Sequence, residues 1–260
     1  MSVEKSPGDV SLVSKAYILE NNTSLRDFLR GRRRYLLAKR LFDIILSLFV
    51  VLFILSWLFP LLCILIRLGS KGPVLFIQRR VGYMGRSFRC LKFRTMRVNK
   101  EADTLQATEN DPRVTRLGRL LRDSNLDELP QFINVLIGHM SIVGPRPHMY
   151  KDCLKFSNIV ESYKVRNLMK PGITGLAQVK GFRGPAHDFN RIFLRFQWDA
   201  YYIRHAHFLF DLRIVHQTAM QTLGNIIGRF LPAEDQMSPT DMEWVDAGDK
   251  LFLKEKSVSI

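Results

Sequence analysis

Hydrophobic and polar positions are unevenly distributed along this chain: residues 44–66 form one run of 23 residues without a charged side chain. At about 1.5 Å per residue, a helix of that length reaches across a bilayer core roughly 30 Å thick. Pro60 lies inside the run, where its missing N–H and ring clash predict a kink. Ser56, four residues earlier, can offer its hydroxyl to a backbone group left without a partner. Both flanks are basic. Arg26, Arg30, Arg32, Arg33, Arg34, Lys39 and Arg40 precede the run with only Asp27 and Asp43 opposed, and residues 67–100 hold ten Lys or Arg and no Asp or Glu. Basic flanks mark the cytoplasmic side. Two of them predict a re-entrant helix hairpin with both ends on one face, and an ordinary single-pass helix stays open beside it.

The rest of the pattern is that of a small mixed domain. Residues 1–24 carry no periodicity and read as a loose tail, and 25–40 as a basic interfacial helix. Gly69, Gly72 and Pro73 close the apolar stretch. Residues 74–78 and 88–96 read as strands joined by a turn at Gly82 and Gly85, followed by a polar excursion over 97–112. Helices are predicted over 114–122, over 129–137 with Gly138 as its stop, and over 150–169. A glycine-rich loop spans 171–184. Residues 188–223, rich in arginine and in aromatics from Phe189 to Phe210, suit a helix at a membrane interface, with an ordinary core helix as the alternative. The expected fold class is α+β: a monotopic membrane protein with a re-entrant hairpin, a small mixed domain and interfacial amphipathic helices. Its expected parts are 1–38 as tail and basic segment, 39–68 as membrane helix, 69–223 as cytosolic-face domain and 224–260 as extension.

A formal charge of +15 over 260 residues demands an anionic partner. Nucleic acid, anionic lipid and phosphorylated substrates all qualify. Beside a membrane segment, headgroups are the default at about 1 kcal/mol per basic residue. Cys63, Cys90 and Cys153 are widely spaced and read as reduced packing residues. The apolar run starts too late, runs too long and lacks a cleavage site for a secretory signal.

Three clusters carry candidate chemistry. In the first, Pro130 belongs in a helix's first turn, which puts Asp127 and Glu128 at that helix's N-terminus with Arg122 just upstream. Free N–H groups there suit a phosphate and lower a carboxylate's pKa, keeping it able to attack or to bind a metal. Plain N-capping by Asp127 is the bland alternative. In the second, Pro145 and Pro147 stiffen the backbone around Arg146, whose fork can grip an anion; a rigid corner would look the same. In the third, glycines from Gly172 to Gly181 allow backbone approach to a phosphate. Lys92 and Arg94 alternate with apolar residues, as on a strand with one charged face, which also suits a solvated or lipid-facing sheet. His205 and His207 diverge by about 200° on a helix and cannot share a metal. No zinc-ligand spacing, nucleophile elbow, P-loop or dinucleotide fingerprint occurs.

In order, KRLFDI, GPVLFIQRRVGYMGRSFRCLKFRTM, NDPRVTRLGRLLR, LDELPQFINVLIGHMSIVGPRP and KPGITGLAQVKG resemble the bacterial sugar transferase family over residues 39–223. These are the monotopic phosphoglycosyl transferases that begin exopolysaccharide, O-antigen or glycan assembly. The resemblance implies transfer of sugar 1-phosphate from a UDP-sugar to undecaprenyl phosphate, with release of UMP. It implies Asp127 as the nucleophile that forms a phosphosugar-aspartate, and Glu128 as its partner in catalysis, both near Mg²⁺. Arg122 matches a phosphate-contacting position and Pro145-Arg146-Pro147 an active-site signature. Further substrate contacts are expected at Lys92, Arg94, Arg113 and Gln178, and at Asp199 and Tyr202. The resemblance also implies membrane lipids as partners, no nucleic acid, and a place on the cytoplasmic face of the bacterial inner membrane. Homo-oligomerisation is left open. A non-enzymatic basic membrane-anchored protein, or a scaffold of a polysaccharide synthase, is the alternative; it gives the ordered carboxylate and Pro-Arg-Pro motifs no role.

Overall fold

The computed structural model describes residues 31–98, 111–160, 162–184, 189–227, 242–246 and 251–255. The expected tail, the first part of the basic helix and most of the polar excursion lie outside them. The apolar run is part of one 37-residue helical stretch, Arg33–Gly69, the one helix among the described residues long and apolar enough to cross a membrane. It consists of α1 (Arg33–Phe49), a π-helical segment (Val50–Leu55) and α2 (Ser56–Gly69), which contains Pro60. The π segment, just before Ser56, disturbs the ordinary ladder. Ser56 Oγ donates to the Leu52 carbonyl at 2.6 Å and Trp57 Nε1 to the Phe53 carbonyl at 3.0 Å. The carbonyl that Pro60 deprives of its usual donor is that of Ser56 itself, so the Ser56 hydroxyl serves the π segment instead.

Within α1 a polar stripe repeats every fourth residue and faces the domain. Tyr35 and Lys39 both donate to Asp211 Oδ2 at 2.9 Å, and Asp43 accepts from Ser141 Oγ and the Ile142 N–H. Farther on, Leu55, Leu62 and Ile66 pack with Phe93 and Leu121 of the same domain. Both ends of the stretch are thus held by one body. The opposite side presents Leu41, Ile45, Leu48, Leu52, Trp57, Leu61, Ile64 and Leu68, all exposed. Exposed apolar surface of that extent calls for a nonaqueous neighbour.

After the helix, β1 (Leu75–Val81) and β2 (Ser87–Phe93) form the expected hairpin, with Leu75 opposite Phe93 and Val81 opposite Ser87. Its turn uses Gly82 and a short 3₁₀ segment ending at Gly85, whose φ is +73°. Next come α3 (Arg116–Asp123), a 3₁₀ turn (Leu126–Glu128) and α4 (Gln131–Leu136). Gly138 stops α4 with a φ of +86° and donates to the Val135 carbonyl. A parallel pair, β3 (Ser141–Val143) and β4 (Gly172–Thr174), crosses so closely that a Cβ at Gly172 would sit 2.1 Å from the Gly144 nitrogen.

The helix expected over 150–169 breaks. Its first half is α5 (Tyr150–Ile159); beyond Ser162, at φ +61°, the chain continues as a 3₁₀ segment, Tyr163–Leu168. Three residues per 3₁₀ turn align Tyr163 with Arg166, and both reach the ring of His148. A short α6 (Leu176–Val179) leads to α7 (Phe189–His205) and α8 (Phe208–Ile227), so the single helix expected over 188–223 is two. Arg32 ends α7 by donating to the carbonyls of Ile203, Arg204 and Ala206. The main core joins β2, α4, β3, α6, α7 and α8 through Cys90, Val135, Ile142, Leu176, Ile203 and Ile214, with Met140 between α4 and β3. A hairpin of β5 (Met242–Asp246) and β6 (Leu251–Glu255) lies in the region where the sequence carried no motif.

Candidate active site

Asp127 and Glu128 lie in the 3₁₀ turn ahead of α4, which Asn125 enters at φ +55°. Pro130 is the N-cap residue of α4 and Asp127 makes no side-chain cap bond, so the capping alternative does not hold. Leu126 and Leu129 flank the two carboxylates and pack, with Ile133, into the cluster that holds Leu55, Leu62 and Ile66 of the long apolar helix. Asn125 ties the turn to α8 through Thr222. The turn that carries the acidic pair therefore shares an apolar cluster with the long helix.

Two cations converge on this turn. Lys92, on β2, places Nζ 2.6 Å from Glu128 Oε1 and 3.9 Å from Asp127 Oδ2. Arg146 Nη2 donates to Glu128 Oε1 at 2.7 Å and Nη1 to Oε2 at 3.4 Å. Arg122 donates its Nε–H to Thr95 Oγ1 at 2.8 Å, and its charge acts on Asp127. The two carboxylates separate electrically. Burial opposes ionisation of Glu128, but Arg146 and Lys92 outweigh it and hold Glu128 well below the usual carboxylate range. Asp127 goes the other way: burial, aided by the charge of Glu128, pushes it up to about 6 against the pull of Lys92, Arg146 and Arg122. The lowered pKa expected for Asp127 at a helix N-terminus is thus corrected, because burial dominates. It is still mostly ionised at neutral pH.

Four other expected contacts are engaged within the protein itself. Arg94 points away from the carboxylates and gathers the carbonyls of Ile66, Ser70 and Lys71, ending α2. Arg113 grips Asp111 through Nε and Nη2. Asp199 forms a buried pair with Arg166 at 2.7 Å. Tyr202, fully buried, donates to Asp211 Oδ1. Gln178 is buried; its Nε2 donates to the Ile173 carbonyl, while its Oε1 has no hydrogen-bond partner. Sequence reasoning passed over Arg183, at the end of the glycine-rich loop. It is anchored on the Gln178 carbonyl and Gln221, and its charge acts together with Arg146 and Glu128. Its one sequence signal was an arginine between Gly181 and Gly184.

The model of the bacterial sugar transferase family matches residues 34–225. The chain belongs to this family. It is 44% identical over 193 residues to the UDP-glucose:undecaprenyl-phosphate glucose-1-phosphate transferase of Escherichia coli K12, covering 73% of this chain and 41% of that protein. The exopolysaccharide production protein PSS of Rhizobium leguminosarum bv. phaseoli is 42% identical over 193 residues, 72% of this chain and 96% of the relative. A UDP-N-acetylgalactosamine-undecaprenyl-phosphate N-acetylgalactosaminephosphotransferase of Aeromonas hydrophila is 40% identical over 185 residues, 71% of this chain and 43% of that protein. The chain thus spans about two fifths of the length of several curated relatives it matches and nearly all of another. The matched region contains the apolar helix and every residue of the acidic site.

Proposed function

We propose that this protein transfers sugar 1-phosphate from a UDP-sugar to undecaprenyl phosphate and releases UMP, the first step in building a bacterial exopolysaccharide or related glycan. The observation that carries this reading is that the Asp127–Glu128 turn packs, through Leu126 and Leu129, into the apolar cluster it shares with Leu55, Leu62 and Ile66 of the long apolar helix. A soluble nucleotide and a lipid phosphate can both meet a carboxylate held there. The relatives' names divide between glucose and N-acetylgalactosamine, so the hexose is the variable part.

In the first half-reaction an Asp127 carboxylate oxygen attacks the sugar-bearing phosphorus. The bond from that phosphorus to the bridging oxygen breaks, and UMP leaves with the electron pair. In the second, a phosphate oxygen of undecaprenyl phosphate attacks the same phosphorus and the aspartyl oxygen leaves, which regenerates the carboxylate. Covalent capture divides one difficult transfer into two. Arg146, Lys92 and Arg122 stabilise charge as it builds on the leaving phosphate. Glu128 keeps Arg146 and Lys92 beside the nucleophile. Burial raises the basicity of Asp127, and so its reactivity, without neutralising it at pH 7.

The donor set suits Mg²⁺ only in part. Glu128 is already engaged by two cations, and the described residues hold no group of three metal-ligating side chains. Mg²⁺ commonly takes one or two carboxylates and completes its shell with water and substrate phosphates. Asp127, with Glu128 Oε2, would hold it in that way. Bound there, the ion would neutralise diphosphate charge.

The two-ended packing of Arg33–Gly69 on one domain supports a re-entrant helix with both ends at the cytoplasmic face. The outer side of α8, with Leu209, Leu212, Met220, Leu223 and Ile227 exposed opposite buried Asp211 and Ile214, supports an interfacial helix. The test is UMP release from UDP-sugars by purified protein with undecaprenyl phosphate. Asp127→Asn should abolish it with membrane binding intact, and retained turnover would refute the assignment.

A further inference from the structure

The loop that carries Arg146 is held by its carbonyls. Pro145 accepts from the Gly172 N–H at 3.0 Å, Arg146 from Arg166 Nη2 at 2.8 Å, Pro147 from Arg80 Nη1 at 3.0 Å and His148 from the Val81 N–H at 3.0 Å. Four successive residues are thus clamped from four places. Prolines at two of them have no N–H to offer, so acceptor bonds must fix the loop. Two of the clamps are main-chain N–H groups of β1 and β4, which the fold builds anyway, and a third is the half-buried Arg80 side chain on β1. The fourth requires a charge buried almost completely, away from any strand.

That charge is Arg166. Its Nε and Nη2 donate to Asp199 Oδ2 at 3.2 and 2.7 Å, and Nη1 donates to His148 Nδ1 at 2.9 Å. Both side chains of the Arg166–Asp199 pair are 3% exposed. A guanidinium only donates, so His148 Nδ1 must accept, and the ring proton sits on Nε2 of a neutral imidazole. Burial, then the charge of Arg166, keeps that ring from protonating. Tyr163 donates to the same nitrogen at 2.6 Å. Burying an ion pair brings little net stability in general. This one touches neither acidic residue of the site and meets the Arg146 loop through the Arg146 carbonyl and the His148 ring.

We propose that Arg166 is a positioning residue for sugar-phosphate transfer: braced by Asp199 and His148, it fixes the backbone of Arg146 and so aims the Arg146 fork at Glu128 and the substrate diphosphate. The proposal rests on the function given above, which assigns Arg146 to the phosphates. A purely structural buried pair would lower stability without regard to Arg146. A positioning residue acts only through it.

A double-mutant cycle of Arg166→Lys with Arg146→Lys tests this. Lysine keeps a charge opposite Asp199, but its protons radiate from one nitrogen and cannot span Asp199, His148 and the Arg146 carbonyl together. In the otherwise wild-type chain, kcat for UMP release should fall about tenfold or more, with KM for the UDP-sugar changing less. In the Arg146→Lys background the same change should cost less than about twofold. Equal losses in both backgrounds, or no loss in the first, overturn the proposal. If Arg166→Lys fails to melt cooperatively, Asp199→Asn, which leaves an oxygen for the fork, enters the same cycle with the same two outcomes. Wild-type UMP release is measured first. Its absence would defeat the proposed function and this inference with it; additive losses in an active enzyme defeat this inference alone.

Discussion

Replacing Lys92 with methionine should make the enzyme a high-pH enzyme. Lys92 Nζ lies 3.9 Å from Asp127 Oδ2. Opposite unit charges about 4 Å apart interact by about 4 kcal/mol at an effective dielectric constant of about 20. One pKa unit corresponds to about 1.4 kcal/mol. Removing the ammonium therefore raises Asp127 by one to about three units. Starting from about 6, the carboxyl should then titrate between about 7 and 9. In the proposed reaction Asp127 attacks only when ionised, so activity should be lost as pH falls through its pKa. At pH 7 the ionised fraction should drop from about nine tenths to between about one half and one hundredth. The assay is single-turnover release of UMP with acceptor withheld, followed from about pH 5.5 to 9.5 to bracket both limbs. A missing phosphate contact would lower the plateau uniformly and leave the midpoint alone. A midpoint still near 6, or a loss that is the same at every pH, would refute the electrostatic reasoning.

The opposite shift is expected for Glu128→Gln: it removes a like charge and releases Lys92 and Arg146 toward Asp127, so the acid limb should move below 6, read in the same pH series. Gly118→Ala should destabilise the fold by about 1–3 kcal/mol or more, seen as a lowered Tm, because the new Cβ would lie 1.9 Å from the Thr95 carbonyl oxygen. Single cysteines at Ala38 and Lys71, in a chain with its three native cysteines replaced, should both label from the cytoplasmic face; labelling from opposite faces would contradict the re-entrant path. Lys71 is preferred to Gly72, where φ is +127° and a Cβ would strike Arg94.

The acidic site was legible because its parts are local in sequence: Asp127 beside Glu128, and Arg146 between two prolines. Lys92 was found as well, since its strand alternation survives in β2. Arg94, two residues on, follows the same alternation, and only the fold reveals that helix carbonyls surround it. Asp199 and Tyr202 pose a related difficulty. A buried carboxylate paired with a distant arginine and a substrate-binding carboxylate look alike until the partner is known. The break at Ser162 was hidden because residues 150–169 suit a helix locally, while tertiary bonds to His148 favour the 3₁₀ path. The stripe of Tyr35, Lys39, Asp43 and Ser47 was readable in principle as a four-residue repeat, and the basic character of the flank masked it. The electrical split between Asp127 and Glu128 depends on burial, which sequence does not supply.

The most direct test of the central claim is intact-mass analysis of the protein after incubation with its UDP-sugar and Mg²⁺, quenched in acid, with undecaprenyl phosphate withheld. The account predicts one added sugar-phosphate group, mapped to the peptide containing Asp127, absent in Asp127→Asn and lost when the lipid acceptor is added. An active enzyme that never carries this group, or carries it on another residue, would contradict it.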